Sequence, residues 1–255
     1  MRVDRIEVDT HVHSVISGHA WSTLHENVLQ ARKVGLQALC LTEHSCAVPG
    51  AAPEWAPLSM SMVPKEDEGI HIYHGLEMDV ITPTGELCPD DRFVKDLDFC
   101  IASMHGVSCD FNWTKDVCTE AWLRVLDHPR VDALGHIDRA AFPCDMEPIV
   151  LKAKDCGKLI ELNNASMISM RAAGHENVEQ LVRLCLRYEV PVCIGSDAHY
   201  HTMVGDFSLL GRLLEELDFP EELVVNYTVE SFEKFLKVRK QVILESAKSQ
   251  GKCLY

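Results

Sequence analysis

Residues 9–19 read DTHVHSVISGH and join a short apolar segment to three histidines and an aspartate. His11 and His13 are two positions apart, so on a β-strand their side chains point to the same side. The surrounding segment, residues 6–13, is short and has no clean alternation of polar residues, which is typical of a strand buried on both faces. We therefore expect a buried strand here that carries two imidazoles on one side.

Segments of the same kind recur along the chain, and helical patterns separate them. The expected strands are residues 6–13, 38–44, 70–80, 98–105, 133–137, 159–163 and 191–197. After the first of these, Thr23 and Glu26 have the spacing of a capping box at a helix start, and Gly35 follows as a stop. The alternation predicts an α/β fold with a parallel sheet, which from the residues alone could close into a barrel or stay open.

The composition limits the class of protein. A chain of 255 residues, 47% of them hydrophobic, suits a single domain over residues 1–255. No apolar run has the length of a transmembrane helix, and the first residues lack the apolar core of a signal peptide. The 11 cysteines include no CxxC pair, which without a secretion signal indicates free thiols in a reducing compartment. We expect a soluble, cytoplasmic protein.

The net charge of −15 bears on the binding partners. It disfavours binding to nucleic acid or to an acidic membrane, because both need basic patches on the protein. It disfavours an anionic substrate as well, unless the site contains cations of its own, since bound metal ions are then the largest local charges.

Histidines and carboxylates recur where the expected strands end. In parallel α/β folds, the C-terminal ends of the strands form the functional face. An isolated histidine in a strand is usually a core or surface residue, but that interpretation gives no reason for a repeated placement at strand ends. A catalytic metal ion takes three or four protein ligands, so the whole set fits two or three ions. The nine candidate ligands are His11, His13, His19, His44, Glu77, His105, His136, Asp197 and His199.

Other polar residues are candidates for binding a substrate. Arg171 follows the sixth expected strand, and its guanidinium group has the geometry to clamp a phosphate, although it also fits a solvated loop. The further candidates are Asn164 and its neighbour Asn163, His25 and His201 near the same face, and, more weakly, Arg139.

Taken in order, these motifs resemble those of the PHP family, named for polymerase and histidinol phosphatase. They read DTHVH, SGHAWSTL, LTEHS, GLEMDV, SMHG, LGHID and GSDAH, and they run from residue 9 to residue 199. The tail, LDFPEELVVNYTVESFEKFL, is similar to the end of small stand-alone bacterial PHP phosphatases. The resemblance implies a distorted, TIM-like, seven-stranded (β/α) barrel that binds three metal ions and hydrolyses phosphate esters. It also implies small homo-oligomers.

The resemblance further implies which residues bind which ion. One ion would be bound by His11, His13, Glu77 and Asp197, a second by Glu77, His105 and His136, and a third by His19, His44 and His199.

One motif departs from the family pattern. The usual TDH is here Thr42-Glu43-His44. The extra methylene of Glu43 moves its carboxylate, so we do not expect this residue to support a metal ligand.

These observations predict a metal-dependent phosphomonoesterase in which a metal-activated hydroxide attacks a small phosphorylated substrate at a trinuclear centre. The expected catalytic residues are Glu77, Arg171, Asp197 and His199. Three divalent ions would outweigh the two ligand carboxylates, which removes the objection raised by the acidic net charge. The mixed nitrogen and carboxylate donors suit Zn²⁺, Mn²⁺ or Fe²⁺.

Two other functions remain open. An amidohydrolase-type enzyme also places an HxH motif on its first strand and an aspartate on its last, but it would leave His19, His44 and His199 without a role. A non-catalytic module stabilised by metal is the other alternative, although such a module would tend to have lost ligands.

Overall fold

The computed structural model describes residues 1–108, 111–168 and 175–249. Strands and helices alternate through these residues, as expected from the sequence. The strands are β1 Val8–Val12, β2 Ala38–His44, β3 Glu66–Asp67, β4 Ile70–Val80, β5 Leu87–Cys88, β6 Phe99–Ser103, β7 Ala133–Leu134, β8 Leu159–Asn163 and β9 Val192–Gly195. The helices are α1 Leu24–Val34, α2 Asp91–Val94, α3 Lys115–Val125, α4 Met146–Asp155, α5 His175–Tyr188, α6 Ser208–Glu216 and α7 Val229–Ser249.

Seven parallel strands form a nearly closed barrel, which confirms the expected fold. Their order is β1-β2-β4-β6-β7-β8-β9, while the short strands β3 and β5 pair antiparallel with β4. The first and last strands of this order meet just beyond β9, where the amide of His13 donates to the carbonyl of Ala198 at 2.9 Å. The residues alone did not decide whether the sheet forms a barrel or an open sheet. This contact brings the two edges of the sheet together.

A buried amide side chain also joins the first and last strands. Asn226 is 0% exposed, and its Nδ2 donates to the carbonyls of Val8 at 2.7 Å and Ile194 at 2.8 Å. Its Oδ1 accepts from the amide of Ile194 at 2.9 Å. One side chain therefore bridges β1 and β9, between which the backbone contact is short.

The interior of the barrel is layered. The first inward-facing residues of the strands form an apolar cluster with Phe232 of α7, which is fully buried. Because side chains alternate along a strand, the same face then leads to polar residues at the C-terminal end: from Phe99 to Ser103 in β6, and from Tyr73 to Glu77 in β4. The alternation thus places an apolar floor below a polar layer.

Strand β1 needs an irregularity to follow this pattern. Val8 belongs to the apolar floor, yet His11 and His13 are an odd number of positions further along. The pairing of β1 with β2 shifts register between Asp9 and Val12, as a β-bulge does. The shift turns both histidines toward the interior and leaves Val12 in the outer apolar cluster.

Local sequence signals explain the helix ends. At the start of α1, the hydroxyl of Thr23 accepts from the amide of Glu26, whose carboxylate accepts from the amide of Thr23. This is the predicted capping box, and Gly35 ends the helix in the left-handed region at φ 91°. None of the helices among the described residues is both long and apolar enough to cross a membrane.

The structure shortens one expected strand and adds two short elements between two others. The fifth expected strand, residues 133–137, is only Ala133–Leu134, because the chain leaves the extended conformation and reaches φ 31° at His136. The segment 45–69, between the second and third expected strands, contains a 3₁₀ helix at Ala56–Met62 and the short strand β3.

We expect Asn226→Ala to lower the free energy of unfolding by about 3 kcal/mol, because buried backbone groups of β1 and β9 lose their partners. Urea unfolding followed by circular dichroism measures this change. The matched control is Asn112→Ala, at an exposed position, which should change stability little. Equal effects of the two substitutions would contradict a role of Asn226 in closing the barrel.

Candidate metal centre

The structure brings the nine predicted ligands together at the C-terminal ends of the barrel strands. His13 follows β1, His44 ends β2, and Glu77 lies in the second half of β4. The remaining ligands lie in β1 or just after β6, β7 and β9, except His19, which lies in the loop that follows β1. Each of the nine contacts at least one other member of the set.

Glu77 is the centre of this arrangement. Its side chain is 0% exposed, and five imidazoles face its two oxygens. They are His136 at 3.0 Å, His105 at 3.4 Å and His11 at 3.5 Å from Oε1, and His44 at 2.6 Å and His13 at 3.6 Å from Oε2. One carboxylate thus reaches all the strands that supply these histidines.

Several nitrogen and oxygen atoms that could bind a metal ion in this polar layer have no hydrogen bond. Among the described residues, His11 Nε2 and His13 Nε2 are buried without a hydrogen-bond partner, and His44 Nδ1 and Glu77 Oε2 lie 2.6 Å apart in a geometry that is not a hydrogen bond. A buried polar atom without a partner costs free energy, so a cluster of them indicates that something else satisfies them. Imidazole nitrogens and carboxylate oxygens that converge in this way fit divalent metal ions.

A second group of rings lies beside the first. His199 Nε2 is 2.9 Å from His19 Nε2, and its Nδ1 is 3.3 Å from Asp197 Oδ1. The rings of His19 and His44 stack with centroids 4.8 Å apart, and those of His13 and His44 are 4.3 Å apart. These contacts join the predicted third set to the histidines around Glu77.

Three groups of donor atoms are close enough to bind an ion each. They are His11 with His13 and Asp197, His44 with Glu77 and His105, and His13 with His44 and His199. The first contains three of the four ligands that the resemblance implies for one ion, His11, His13 and Asp197. The other two groups differ from the implied sites by one residue each. His44 takes the place of His136 beside Glu77 and His105, and His13 takes the place of His19 beside His44 and His199.

Carboxylates below the ligands hold two of the histidines. Glu161 Oε1 is 2.6 Å from His11 Nδ1, and Asp79 Oδ1 is 2.7 Å from His105 Nδ1. Both are 0% exposed, and neither was predicted as a functional residue. Two features of the sequence point to them. Glu161 is a charged residue inside the apolar run LIELN, and Asp79 lies two positions after Glu77, on the same face of the strand. Such partners fix the ring orientation of a metal ligand.

The carboxylate of Glu161 needs a glycine opposite it. A Cβ atom at Gly195 would lie 2.5 Å from Glu161 Oε1 and 2.5 Å from the Cβ of His11. Only a residue without a side chain allows β8 and β1 to bring these two groups together at this point.

The structure corrects the expectation for Glu43. Its buried carboxylate accepts from the amide and hydroxyl of Ser14 and, at 2.6 Å, from the hydroxyl of Ser17. The oxygen of Ser17 lies 3.0 Å from His13 Nδ1 and accepts from the amide of His44 at 3.0 Å. The longer side chain therefore still supports the ligands, through a serine.

Charge around Glu77 favours its ionised form. Burial opposes ionisation, but the neighbouring His105, His44 and His11 hold the pKa of Glu77 well below its usual value. Burial would also lower the pKa of His105, yet Glu77 and Asp79 raise it to about 9. The layer thus keeps a negative charge at its centre, which attracts cations.

Other histidines of the layer are kept neutral. Burial lowers the pKa of His13 well below its usual value, and His44 and His199 add to this effect. Burial, together with the charge of Arg139, lowers the pKa of His136 to about 3. Neutral imidazole is the form that binds a metal ion.

Two of the candidate ligands have strained backbones. Asp197 has φ 54° and His136 has φ 31°, in the region that favours glycine. Such conformations cost free energy and occur at functional sites, where the surrounding structure enforces them.

A cavity of about 370 Å³ opens above the centre. Its wall contains His19, His44, His105, Asp197 and His199 together with Arg139 and the apolar side chains of Val48, Val107, Ala141 and Phe142. Arg139 Nη2 is 3.3 Å from Asp197 Oδ2, so its guanidinium group lies at the edge of the candidate metal layer. Sequence reasoning ranked this arginine below Arg171, which lies outside the described residues.

The other expected substrate contacts do not line this cavity. Asn164 Oδ1 accepts from the amide of Leu210 and so anchors α6 to the loop after β8. His25 is exposed on α1 and pairs with Asp67 at 2.9 Å. His201 is held by Ser22, whose hydroxyl lies 3.1 Å from its Nδ1. Asn163, the neighbour of Asn164, instead donates to Glu161.

Comparisons with known proteins identify relatives of this chain. A probable phosphatase of Caldicellulosiruptor bescii is 36% identical over 233 residues, covering 91% of this chain and 96% of that protein. A probable phosphatase of Acetivibrio thermocellus is 38% identical over 236 residues, covering 92% and 97%.

A solved structure shares the fold. It is the histidinol phosphate phosphatase of Lactococcus lactis in complex with zinc, L-histidinol and phosphate, with a TM-score of 0.59 and 19% identity over 82% of this chain and 94% of that chain. The family model described as PHP domain matches residues 9–171, more than half of the chain. The expected resemblance is confirmed, and the chain belongs to the PHP domain family.

Proposed function

We propose that this chain is a metal-dependent phosphomonoesterase with a trinuclear centre of zinc, manganese or iron. Its ligands are His11, His13, His19, His44, Glu77, His105, His136, Asp197 and His199. The proposal rests above all on the buried donor atoms around Glu77 that have no hydrogen-bond partner among the described residues. Several carboxylate and imidazole atoms converge there without a hydrogen bond, and atoms of these types can bind cations.

The bound ions would supply a water molecule of lowered pKa and positive charge for the phosphate oxygens. The residues of the chain position the reaction. Glu77 would hold the ions through its two oxygens, and Asp197 and His199 lie at the open side, against the cavity. Arg139 presents a guanidinium group at the cavity edge, where its fork fits phosphate oxygens.

The comparisons support the reaction and the kind of substrate. The two relatives are named as probable phosphatases. The Lactococcus lactis structure contains zinc, L-histidinol and phosphate. A small phosphorylated substrate fits a cavity of about 370 Å³ whose wall combines one arginine with apolar side chains. Arg171 remains a predicted second phosphate ligand.

The proposal also covers the location, the partners and the oligomeric state of the enzyme. The nine described cysteines are free thiols, which agrees with a cytoplasmic location. Because the protein has a net charge of −15, we do not propose nucleic acids or acidic membranes as its partners. Small homo-oligomers remain a prediction from the family.

Metal content and turnover together test the proposed function. We expect about three metal ions per chain by elemental mass spectrometry, and hydrolysis of p-nitrophenyl phosphate that is lost after chelation and restored by Zn²⁺ or Mn²⁺. One or two ions with hydrolysis of amides or lactones would favour the amidohydrolase alternative. Bound metal without turnover of a phosphomonoester panel would favour the non-catalytic module.

Arg139→Ala should lower kcat/KM for a phosphomonoester about 10- to 100-fold, because a hydrogen bond between charged groups contributes about 1.5–3 kcal/mol. Arg139→Lys should have an intermediate effect, since it keeps the charge and loses the fork. Arg212→Ala, at an exposed position of α6, is the control. An unchanged kcat/KM in both Arg139 variants, with normal metal content, would exclude a phosphate contact.

Glu161→Gln should weaken divalent-metal binding about 10- to 100-fold, because it removes the charge that orients His11. Competition with a chromogenic chelator measures the Kd. The control is Glu216→Gln, exposed on α6. If both variants bind metal as tightly as the unmodified protein, Glu161 does not support a ligand.

A further inference from the structure

Two cysteine thiols meet beside the metal layer without forming a bond. Cys46 Sγ and Cys88 Sγ are 3.2 Å apart, and the residues are separated by 42 positions in the chain. Cys46 is exposed and Cys88 is partly exposed, so both are accessible to small solutes. Most of the other described cysteines are buried in the apolar core.

The pair is placed for a disulfide. A disulfide has its sulfur atoms about 2.05 Å apart, so the thiols have to approach by roughly 1.1 Å. Cys46 lies in the turn that begins the segment after β2, and Cys88 is the last residue of the short strand β5. A turn and the end of an outlying strand can adjust by this amount through side-chain rotation, without moving the barrel.

The same pair adjoins the support of a candidate ligand. Cys88 pairs with Asp79 across β5 and β4, and the hydroxyl of Ser45, next to Cys46, donates to Asp79 Oδ2 at 2.6 Å. The other oxygen of Asp79 is 2.7 Å from His105 Nδ1. A bond between the thiols would therefore hold together the two segments that fix Asp79.

We propose that Cys46 and Cys88 form a modification site that closes to a reversible disulfide with peroxides. With hydrogen peroxide, one thiol loses its proton and attacks a peroxide oxygen as the thiolate; the O–O bond breaks, and the products are a sulfenic acid and, with the released proton, water. The second thiol attacks the sulfenic sulfur, the S–S bond forms and a second water leaves. Each peroxide thus takes two electrons from two thiols, and a dithiol reductant returns them. Transient disulfides of this kind occur in otherwise reducing compartments.

The disulfide would restrain Ser45 against Asp79 and so hold His105 in its orientation. The formation of the bond does not depend on the proposed phosphatase activity. Its effect on metal retention rests on the proposed ligand role of His105, so the two parts are measured separately.

The first experiment treats the full-length, zinc-loaded protein with hydrogen peroxide, blocks the remaining thiols and maps the peptides by mass spectrometry. We expect a linked pair of peptides that contain Cys46 and Cys88, which dithiothreitol separates. Cys46→Ser and Cys88→Ser should abolish the link, while Cys156→Ser, at another partly exposed cysteine, should retain it. A folded protein that loses thiols elsewhere, or shows no such link, overturns the proposal.

The second experiment compares the rate of zinc release to a chelator before and after oxidation. Two results together support the restraint on His105. Zinc is released more slowly from the oxidised protein, and peroxide does not change the rate of zinc release from the Cys46→Ser variant. Equal rates in a protein with the mapped disulfide overturn that restraint. A protein that binds no zinc refutes the proposed function, and the peptide map still decides whether the disulfide forms.

Discussion

The structure depends on one buried carboxylate. Glu77 is fully enclosed, its pKa is held well below the usual value, and five imidazoles face its two oxygens. A buried negative charge is costly unless positive charge compensates for it, which a protonated imidazole such as that of His105 or a bound cation can do and a neutral imidazole cannot. The strand order, the bulge in β1 and the supporting carboxylates all bring nitrogen donors to this one point. The requirement for positive charge at Glu77 is therefore the constraint from which the proposed chemistry follows.

Much of this could be predicted because it depends on short-range periodicity. The bounds of β2, β4 and β8 agree with the expected segments, since each is rich in apolar residues and has no clean alternation of polar residues. The two-residue spacing of His11 and His13 fixes a common side, and parallel strands place their ends at one edge. Periodicity does not decide whether the sheet closes, because closure depends on Asn226 and Ala198, which are far from β1 in the chain.

The residues that support the ligands could not be found in the same way. Glu161 and His11 are 150 positions apart, and Glu43 reaches His13 only through Ser17. A charged residue inside an apolar strand, such as Glu161, marks a candidate, but its partner depends on the packing of distant strands, which the sequence does not display. The substrate residues were difficult for a related reason: an arginine or histidine near a strand end looks the same whether it points into the cavity, as Arg139 does, or pairs at the surface, as His25 does. Arg171 lies outside the described residues, so its prediction is neither supported nor corrected.

One end of the barrel contributes to stability, and the other end contains the candidate metal centre. At the floor, Phe232 of α7 and the apolar residues beneath the site provide burial that favours folding. At the opposite end, unpartnered donors and the left-handed backbones of Asp197 and His136 cost free energy. A cation that binds the folded chain more tightly than the unfolded one would recover part of this cost, since binding to the native state alone stabilises it. The apolar floor therefore allows the chain to hold a polar layer that is unfavourable by itself and ready for metal ions.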